Sequence, residues 1–187
     1  MGMQTPEDHH DVSDETLMQR VGKGDMDAFS LLVQRHQNGV VNFFRRMGDY
    51  NGAEDRAQET FVRLFKYRKR YRPTAKFTTF LYLLARRARI DNLRKMERRR
   101  RAYERLTDEE ETRRQETRAG ALAGEDAVAA LSALSEDMRT VVVMSIFQGF
   151  KYREIADVLG IPLGTVKTRM FHALRKLKEV MSHDATP

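Results

Sequence analysis

Residues 102–125 contain almost nothing that could be buried, and this stretch limits what the rest of the chain can fold into. It carries the acidic cluster Asp108-Glu109-Glu110-Glu111, the pair Arg113-Arg114, and the glycines Gly120 and Gly124. A segment of this composition cannot bury enough apolar surface to offset the entropy lost on ordering, so it reads as a charged linker. The 187 residues are thereby divided into two parts, each long enough for a small core only. The whole chain holds just 11 glycines and 4 prolines, and its apolar residues recur at three- and four-residue steps instead of alternating. The expected fold class is therefore all-α, with two small helical domains joined by the charged linker. The expected division is a flexible amino terminus over 1–12, a first domain over 13–101, the linker over 102–125, a second domain over 126–182 and a tail over 183–187.

A net charge of +7 conceals a strong alternation along the chain. It is −5 over residues 1–60, +14 over 61–101, −5 over 102–150 and +3 over 151–187. The two basic segments imply two sites for polyanions. The lack of cysteine excludes a disulfide framework, a thiol nucleophile and a cysteine-based metal site. Met1 to Asp11 has none of the apolar character of a signal peptide, and no run approaches the ~18 apolar residues of a membrane span. A cytoplasmic protein without a membrane span is expected. Gly22-Lys23-Gly24 lacks the rest of a phosphate-binding loop, and no nucleophile, acid–base set or metal-ligand cluster converges. The chain is accordingly not expected to be an enzyme, nor to carry a cofactor or a metal.

In the first part, Ser13 can cap a short helix that Gly22 and Gly24 end, and Asp25 can cap a longer one running from Met26 to Met47. Phe29, Leu32, Val33, Val40, Phe43, Phe44 and Met47 form the apolar face of the longer helix, with His36 as a structural residue on its edge. A third helix opens at Asn51-Gly52-Ala53-Glu54 with Glu54 at the capping-box position, and it buries Ala57, Phe61, Leu64 and Phe65. Its other face carries Asp55, Gln58, Glu59 and Arg63, a polar docking face. The fourth helix, expected from about Thr79 to Arg101, belongs to the basic segment. Around it Tyr67, Tyr71, Phe77, Phe80 and Tyr82 are interleaved with cations, the combination of phosphate neutralisation and flat faces that single-stranded nucleic acid needs. About half of these rings are expected in the core.

The second part holds the most specific motif. Lys151 to Gly160 reads as a short helix, Ile161-Pro162-Leu163-Gly164 as a turn, and Thr165 to Glu179 as a second helix, which together make a helix-turn-helix. Gly160 supplies a positive φ and Ala156 lets the helices approach. Placing Val166, Met170, Ala173, Leu174 and Leu177 inward turns Thr168, Phe171, His172 and Arg175 outward, with Lys167 at the margin. An exposed phenylalanine beside these polar side chains suits a helix lying in the major groove.

Ala53-Glu54-Asp55-Arg56-Ala57-Gln58-Glu59-Thr60-Phe61, Phe77 to Tyr82, and Ile90 to Arg94 resemble the second domain of the extracytoplasmic-function (ECF) sigma factors of the bacterial sigma-70 family. Leu131 to Leu134, Arg139, Tyr152 to Ala156 and Gly164 to Arg169 resemble their fourth domain. The resemblance covers about residues 13–180 and implies a promoter-specificity subunit that binds core RNA polymerase and promotes DNA melting. It implies that Glu54, Asp55, Gln58 and Glu59 dock on the clamp helices of the β′ subunit and that the second part sits by the β flap. It also implies that Tyr71, Lys76, Phe77, Phe80 and Arg87 meet the melted −10 element. Lys167, Thr168, Phe171, His172 and Arg175 would meet the double-stranded −35 element. An anti-sigma factor is a further partner to consider, and the site of action would be the bacterial nucleoid when polymerase is bound. Three positions depart from the family pattern: Phe80 stands where Trp is usual, Arg87 where Asn is usual and His172 where Arg is common. A stand-alone helix-turn-helix regulator is the principal alternative, but it would leave the +14 segment and the acidic face idle.

Overall fold

The computed structural model describes residues 12–104 and 130–183. Among these, every regular element is helical. The first is α1 (Asp14–Gly22), where the Ser13 hydroxyl accepts from the Thr16 amide. In α2 (Met26–Arg46) the Asp25 carboxylate accepts from the Ala28 amide at 2.9 Å. Both caps are the expected ones, because a short oxygen-bearing side chain satisfies amides the first turn leaves unpaired.

The start of α3 (Ala53–Tyr67) differs from expectation. Gly52 is the capping residue and offers no side chain, so Asp49 takes over and accepts from the Gly52 amide at 3.1 Å. Glu54 turns away to pair with Arg45 instead of closing a capping box. The fourth helix, α4 (Phe77–Glu104), is longer at both ends than the spacing suggested. Glu15 of α1 accepts from the Phe77 amide at 2.7 Å and so starts the helix two residues early. At the other end, ion pairs from Arg100 and Arg101 to Glu97 support continuation through residues 102–104, which were assigned to the linker.

In the second part, Ser135 caps α5 (Glu136–Val142), and a π-helical turn over Val143–Phe147 follows directly. The helix-turn-helix consists of α6 (Tyr152–Leu159) and α7 (Leu163–His183). Gly160 closes α6 at φ 66°, the left-handed conformation the turn requires. Expectations for residues 1–11, 105–129 and 184–187 lie outside the described residues, so the bulk of the linker and most of the tail are not part of this description.

One apolar cluster runs through both parts, joining Phe43, Phe44, Leu81 and Ala85 of the first to Val141, Met144, Phe150, Ile155 and Val166 of the second. Two separate small cores were expected. Neither part covers all of its own apolar surface, and the exposed strip of α4 is closed by the turn containing Phe150. Gly39 permits this approach: the Tyr82 hydroxyl of α4 lies 3.1 Å from the point where a Cβ would stand.

Removing the Asp25 cap by Asp25→Ala should lower stability by about 1 kcal/mol in urea denaturation at neutral pH. The hydrogen bond from the Ala28 amide, aided by Arg20, holds this carboxyl below its ordinary value of 3.8. Its contribution is therefore complete above that value and disappears as pH falls through the lower folded-state value. The difference between wild type and Asp25→Ala should shrink in acid, and a constant difference down to pH 2 would contradict the cap.

Candidate nucleic-acid and polymerase interface

The polar face of α3 contains two kinds of residue. Asp55 and Gln58 are exposed. Glu59 is held, 2.5 Å from Arg63 and 3.6 Å from Arg56, and Arg63 continues to Asp91 of α4 at 2.7 Å. Glu54 also has a partner, Arg45, and its carboxyl is lowered first by its own backbone amide at the helix start. The structure thus keeps all four sequence-assigned residues on one face while giving Glu59 a structural duty the sequence did not suggest. Beside this face α2 and α3 diverge to leave a cleft of about 540 Å³, floored by Phe29, Val33, Phe61 and Phe65 and edged by Glu54 and Gln58. The cleft is not legible in the sequence, because the spacing of Phe29, Val33 and Phe65 is that of ordinary core residues.

The aromatic strip is rearranged more strongly. Phe77 is 1% exposed and Tyr71 7%, so the assignment of these two rings to base stacking does not fit the described conformation. They face inward because Glu15 anchors the start of α4 against α1, which brings Phe77 over His36 with ring centroids 5.3 Å apart. Burial, with the carboxylates of Glu15 and Asp14 nearby, pushes the Tyr71 hydroxyl up to about 12. His36 itself pairs with Asp14 at 2.6 Å, consistent with a structural role. Phe80 is half-buried and lies between Tyr71 and Tyr67, at centroid distances of 5.3 and 5.6 Å. Tyr67, at 39% exposure, is the ring in this group most open to solvent and was not among the assigned residues. Lys76 and Arg87 are exposed, and the Lys76 ammonium lies 2.7 Å from Glu154 of α6.

On α7, Val166, Met170 and Ala173 are buried and Leu177 is packed against the core. Leu174 is not buried but 48% exposed, a correction to the expected seam. The covering helices meet α7 along the line Val166, Met170, Ala173 and Leu177, and Leu174 falls on the far edge of that line. Lys167, Thr168, Phe171 and Arg175 are exposed as expected, Phe171 at 64%. His172 is half-buried and meets Phe171 edge-on at 5.5 Å. The Thr168 hydroxyl donates to the Gly164 carbonyl at 3.0 Å, leaving its oxygen lone pairs and methyl facing outward. The exposed apolar pair Phe171 and Leu174 now sits among lysines and an arginine, a mixture suited to base methyls within a phosphate-lined groove.

Among the described residues no group of three or more His, Cys, Asp or Glu side chains could hold a metal ion. No helix among them is long and apolar enough to cross a membrane.

Comparison with known proteins follows the same division. The family model for Sigma-70 region 2 matches residues 32–100, and that for Sigma-70, region 4 matches residues 125–177. The chain is 31% identical over 177 residues to the ECF RNA polymerase sigma factor SigW of Bacillus subtilis, covering 87% of this chain and 93% of that one. It is 28% identical over 173 residues to the ECF RNA polymerase sigma-E factor of Haemophilus influenzae, covering 87% and 92% respectively. Its fold is similar to that of the sigma factor RpoE solved in complex with the anti-sigma factor NepR from Bartonella quintana. That match has a TM-score of 0.69 at 22% identity and covers 82% of this chain and 96% of that one.

The ion-pair network separates two substitutions that look equivalent in sequence. Asp55→Arg should leave stability within about 0.5 kcal/mol of wild type, since it is an exposed position. Glu59→Arg places a cation among Arg56 and Arg63 and should lower the denaturation midpoint clearly. Equal midpoints for the two variants would show that the Glu59 network does not support the fold.

Proposed function

The chain belongs to the extracytoplasmic-function sigma factors of the sigma-70 family, and from that premise we propose how its surfaces divide the work of transcription initiation. It is an RNA polymerase sigma factor: it binds core polymerase, recognises the −35 and −10 elements and promotes melting. The observation that carries this reading is the coexistence, in one chain, of an exposed acidic face on α3 and a cation-lined recognition helix on α7. A stand-alone helix-turn-helix regulator needs only the second. Bond-making chemistry belongs to polymerase, and this chain supplies positioning and binding energy in the bacterial cytoplasm, at the nucleoid when polymerase is bound.

Asp55 and Gln58 make the first contacts with the β′ clamp helices, because they are exposed. Glu54 and Glu59 supply negative field, and the neighbouring apolar cleft receives a hydrophobic side chain of the docking helix. An anti-sigma factor of the kind solved with the Bartonella protein would compete for this surface. The functional modules are residues 13–101 and 126–182, with the second placed by the β flap.

At the −10 element, Lys76 and Arg87 take phosphates of the melted non-template strand and Phe80, with Tyr67 beside it, takes an unstacked base. Phe77 and Tyr71 act from beneath by holding Phe80 in place. A base stacked on an aromatic side chain contributes about 1–3 kcal/mol, comparable to the cost of unstacking it, so melting can proceed on binding energy alone. At the −35 element, Lys167, Thr168 and Phe171 face the bases, His172 lies at their margin and Arg175 meets phosphate.

Two experiments test the assignment. Asp55→Arg combined with Gln58→Arg should abolish association with sigma-free core polymerase while leaving the helical circular dichroism unchanged. Retained wild-type affinity would overturn the docking face. In a selection for functional −35 sequences with the assembled holoenzyme, Thr168→Ala should alter base preference at about 1–3 kcal/mol per lost contact. Arg175→Ala should weaken all sequences alike and reduce the salt slope of binding by about one. The reverse pattern would mean that α7 enters the groove on a different face.

A further inference from the structure

The first turn of α1 reaches two other helices through adjacent residues. The Asp14 carboxylate pairs with Arg35 at 2.8 Å and with His36 at 2.6 Å, which fastens α1 to α2. Glu15 stands about 100° further round the helix and points to α4, where it accepts from the Phe77 amide at 2.7 Å. The chain just before α4 offers no substitute, because neither Ala75 nor Lys76 carries a side-chain oxygen. The backbone bond that closes the first turn, from the Phe80 amide to the Lys76 carbonyl, is long at 3.3 Å. The start of α4 is therefore held by a residue 62 positions away.

We propose that Glu15 is a positioning residue for the −10 surface: its bond to the Phe77 amide fixes the first turn of α4 and, through it, the orientation of the Phe80 ring on which an unstacked base rests. The inference rests on the promoter reading given above. A row of rings carries the effect. Phe77, buried in the core, lies between His36 at 5.3 Å and Tyr71 at 6.4 Å, and Tyr71 meets Phe80 at 5.3 Å. The Tyr71 hydroxyl is buried and has no hydrogen-bond partner among the described residues. Nothing polar pins that ring, so its place is set by the rings around it, and first by Phe77.

This role differs from general support of the fold. The Glu15 bond goes to α4, and neither the polar face of α3 nor α7 lies on the path from Phe77 to Phe80. Losing the bond leaves docking and −35 binding as they are, but it lowers the fraction of chains whose Phe80 is ready for a base, and melting slows in proportion. Two conservative variants separate reach from charge. Glu15→Gln keeps an accepting oxygen at the same reach without the charge, whereas Glu15→Asp keeps the charge and is one methylene too short.

The chain has no tryptophan, so Phe80→Trp places a single fluorophore on the surface in question. In that background and in the full-length chain, Glu15→Ala and Glu15→Asp should shift the emission to the red and lower its anisotropy. Glu15→Gln should leave both as they are, with the same helical circular dichroism in all. Without the reporter, on a promoter selected with the wild-type holoenzyme, Glu15→Ala and Glu15→Asp should slow open-complex formation at saturating promoter at least roughly fivefold, and Glu15→Gln less than about twofold. Affinity for core polymerase and for the promoter in the closed complex should stay within about twofold of wild type in all three. Asp25→Ala is the control for stability, because it removes a comparable cap from α2 and should slow opening less than about twofold. Unchanged emission in Glu15→Ala, shifted emission with unchanged opening, equal slowing in Asp25→Ala, or Glu15→Gln behaving like Glu15→Ala would overturn the positioning role. A wild-type holoenzyme that selects no promoter would refute the promoter reading itself, and the positioning role would fall with it.

Discussion

Tyr82 occupies the point on which the arrangement of the helices depends. Its ring packs edge-on against Phe43 at 5.4 Å and Phe150 at 5.2 Å, its hydroxyl reaches Gln148, and only 5% of the residue is exposed. Burial pushes the hydroxyl above its ordinary range, so it stays a neutral donor. A large ring with one polar end suits a joint between two small units, because it buries much apolar area and still satisfies its oxygen. Gly39 completes the joint by leaving room where any side chain would crowd that oxygen. From this contact follow the position of the turn holding Phe150, the approach of α6 to α4, and the meeting of Lys76 with Glu154.

Ion pairing decides which of the many charges can be offered to a partner. Arg56, Arg63 and Arg89 belong to the basic segment or border it, yet all three are committed within the fold, to Asn92, Glu59 and Asp91, and Glu136 respectively. The counterions of Arg63 come from α3 itself and from α4, so the pairs that cancel this cation also tie those two helices together. What remains exposed on the basic segment includes Lys69, Arg70, Arg72, Arg87, Arg94, Lys95, Arg98 and Arg99, and on α7 Lys167, Arg175, Lys176 and Lys178. The basic segment thus offers most of its cations to a polyanion, while the few that are paired serve the packing of the helices.

Features governed by a few neighbouring residues were legible in the sequence. Ser13, Asp25 and Ser135 cap their helices, and Gly160 takes the left-handed turn, because each depends only on its own side chain and local backbone. Helical spacing likewise placed Phe171 and Arg175 outward. Reading failed where a distant residue intervened. Asp49 displaced Asn51 at the start of α3, and Glu15, 62 residues from Phe77, started α4 early and drew Phe77 inward. Leu174 was misplaced because the direction from which α5 and α6 cover α7 is a tertiary fact, and a rotation of one position changes which leucine is buried. The pairing of Glu59 with Arg63 was available at four-residue spacing, but Asp91, which completes it, was not.

The interface between the two parts combines a charged rim with an apolar centre. Its rim is made of partly exposed ion pairs, and the Lys76 side chain in the Glu154 pair is 64% exposed. Such pairs are individually worth little, about 0–1 kcal/mol, and weaken with salt. The apolar centre around Tyr82 and Phe150 belongs to one cluster that continues through both parts, so their contact rests on shared burial more than on the ion pairs at its rim.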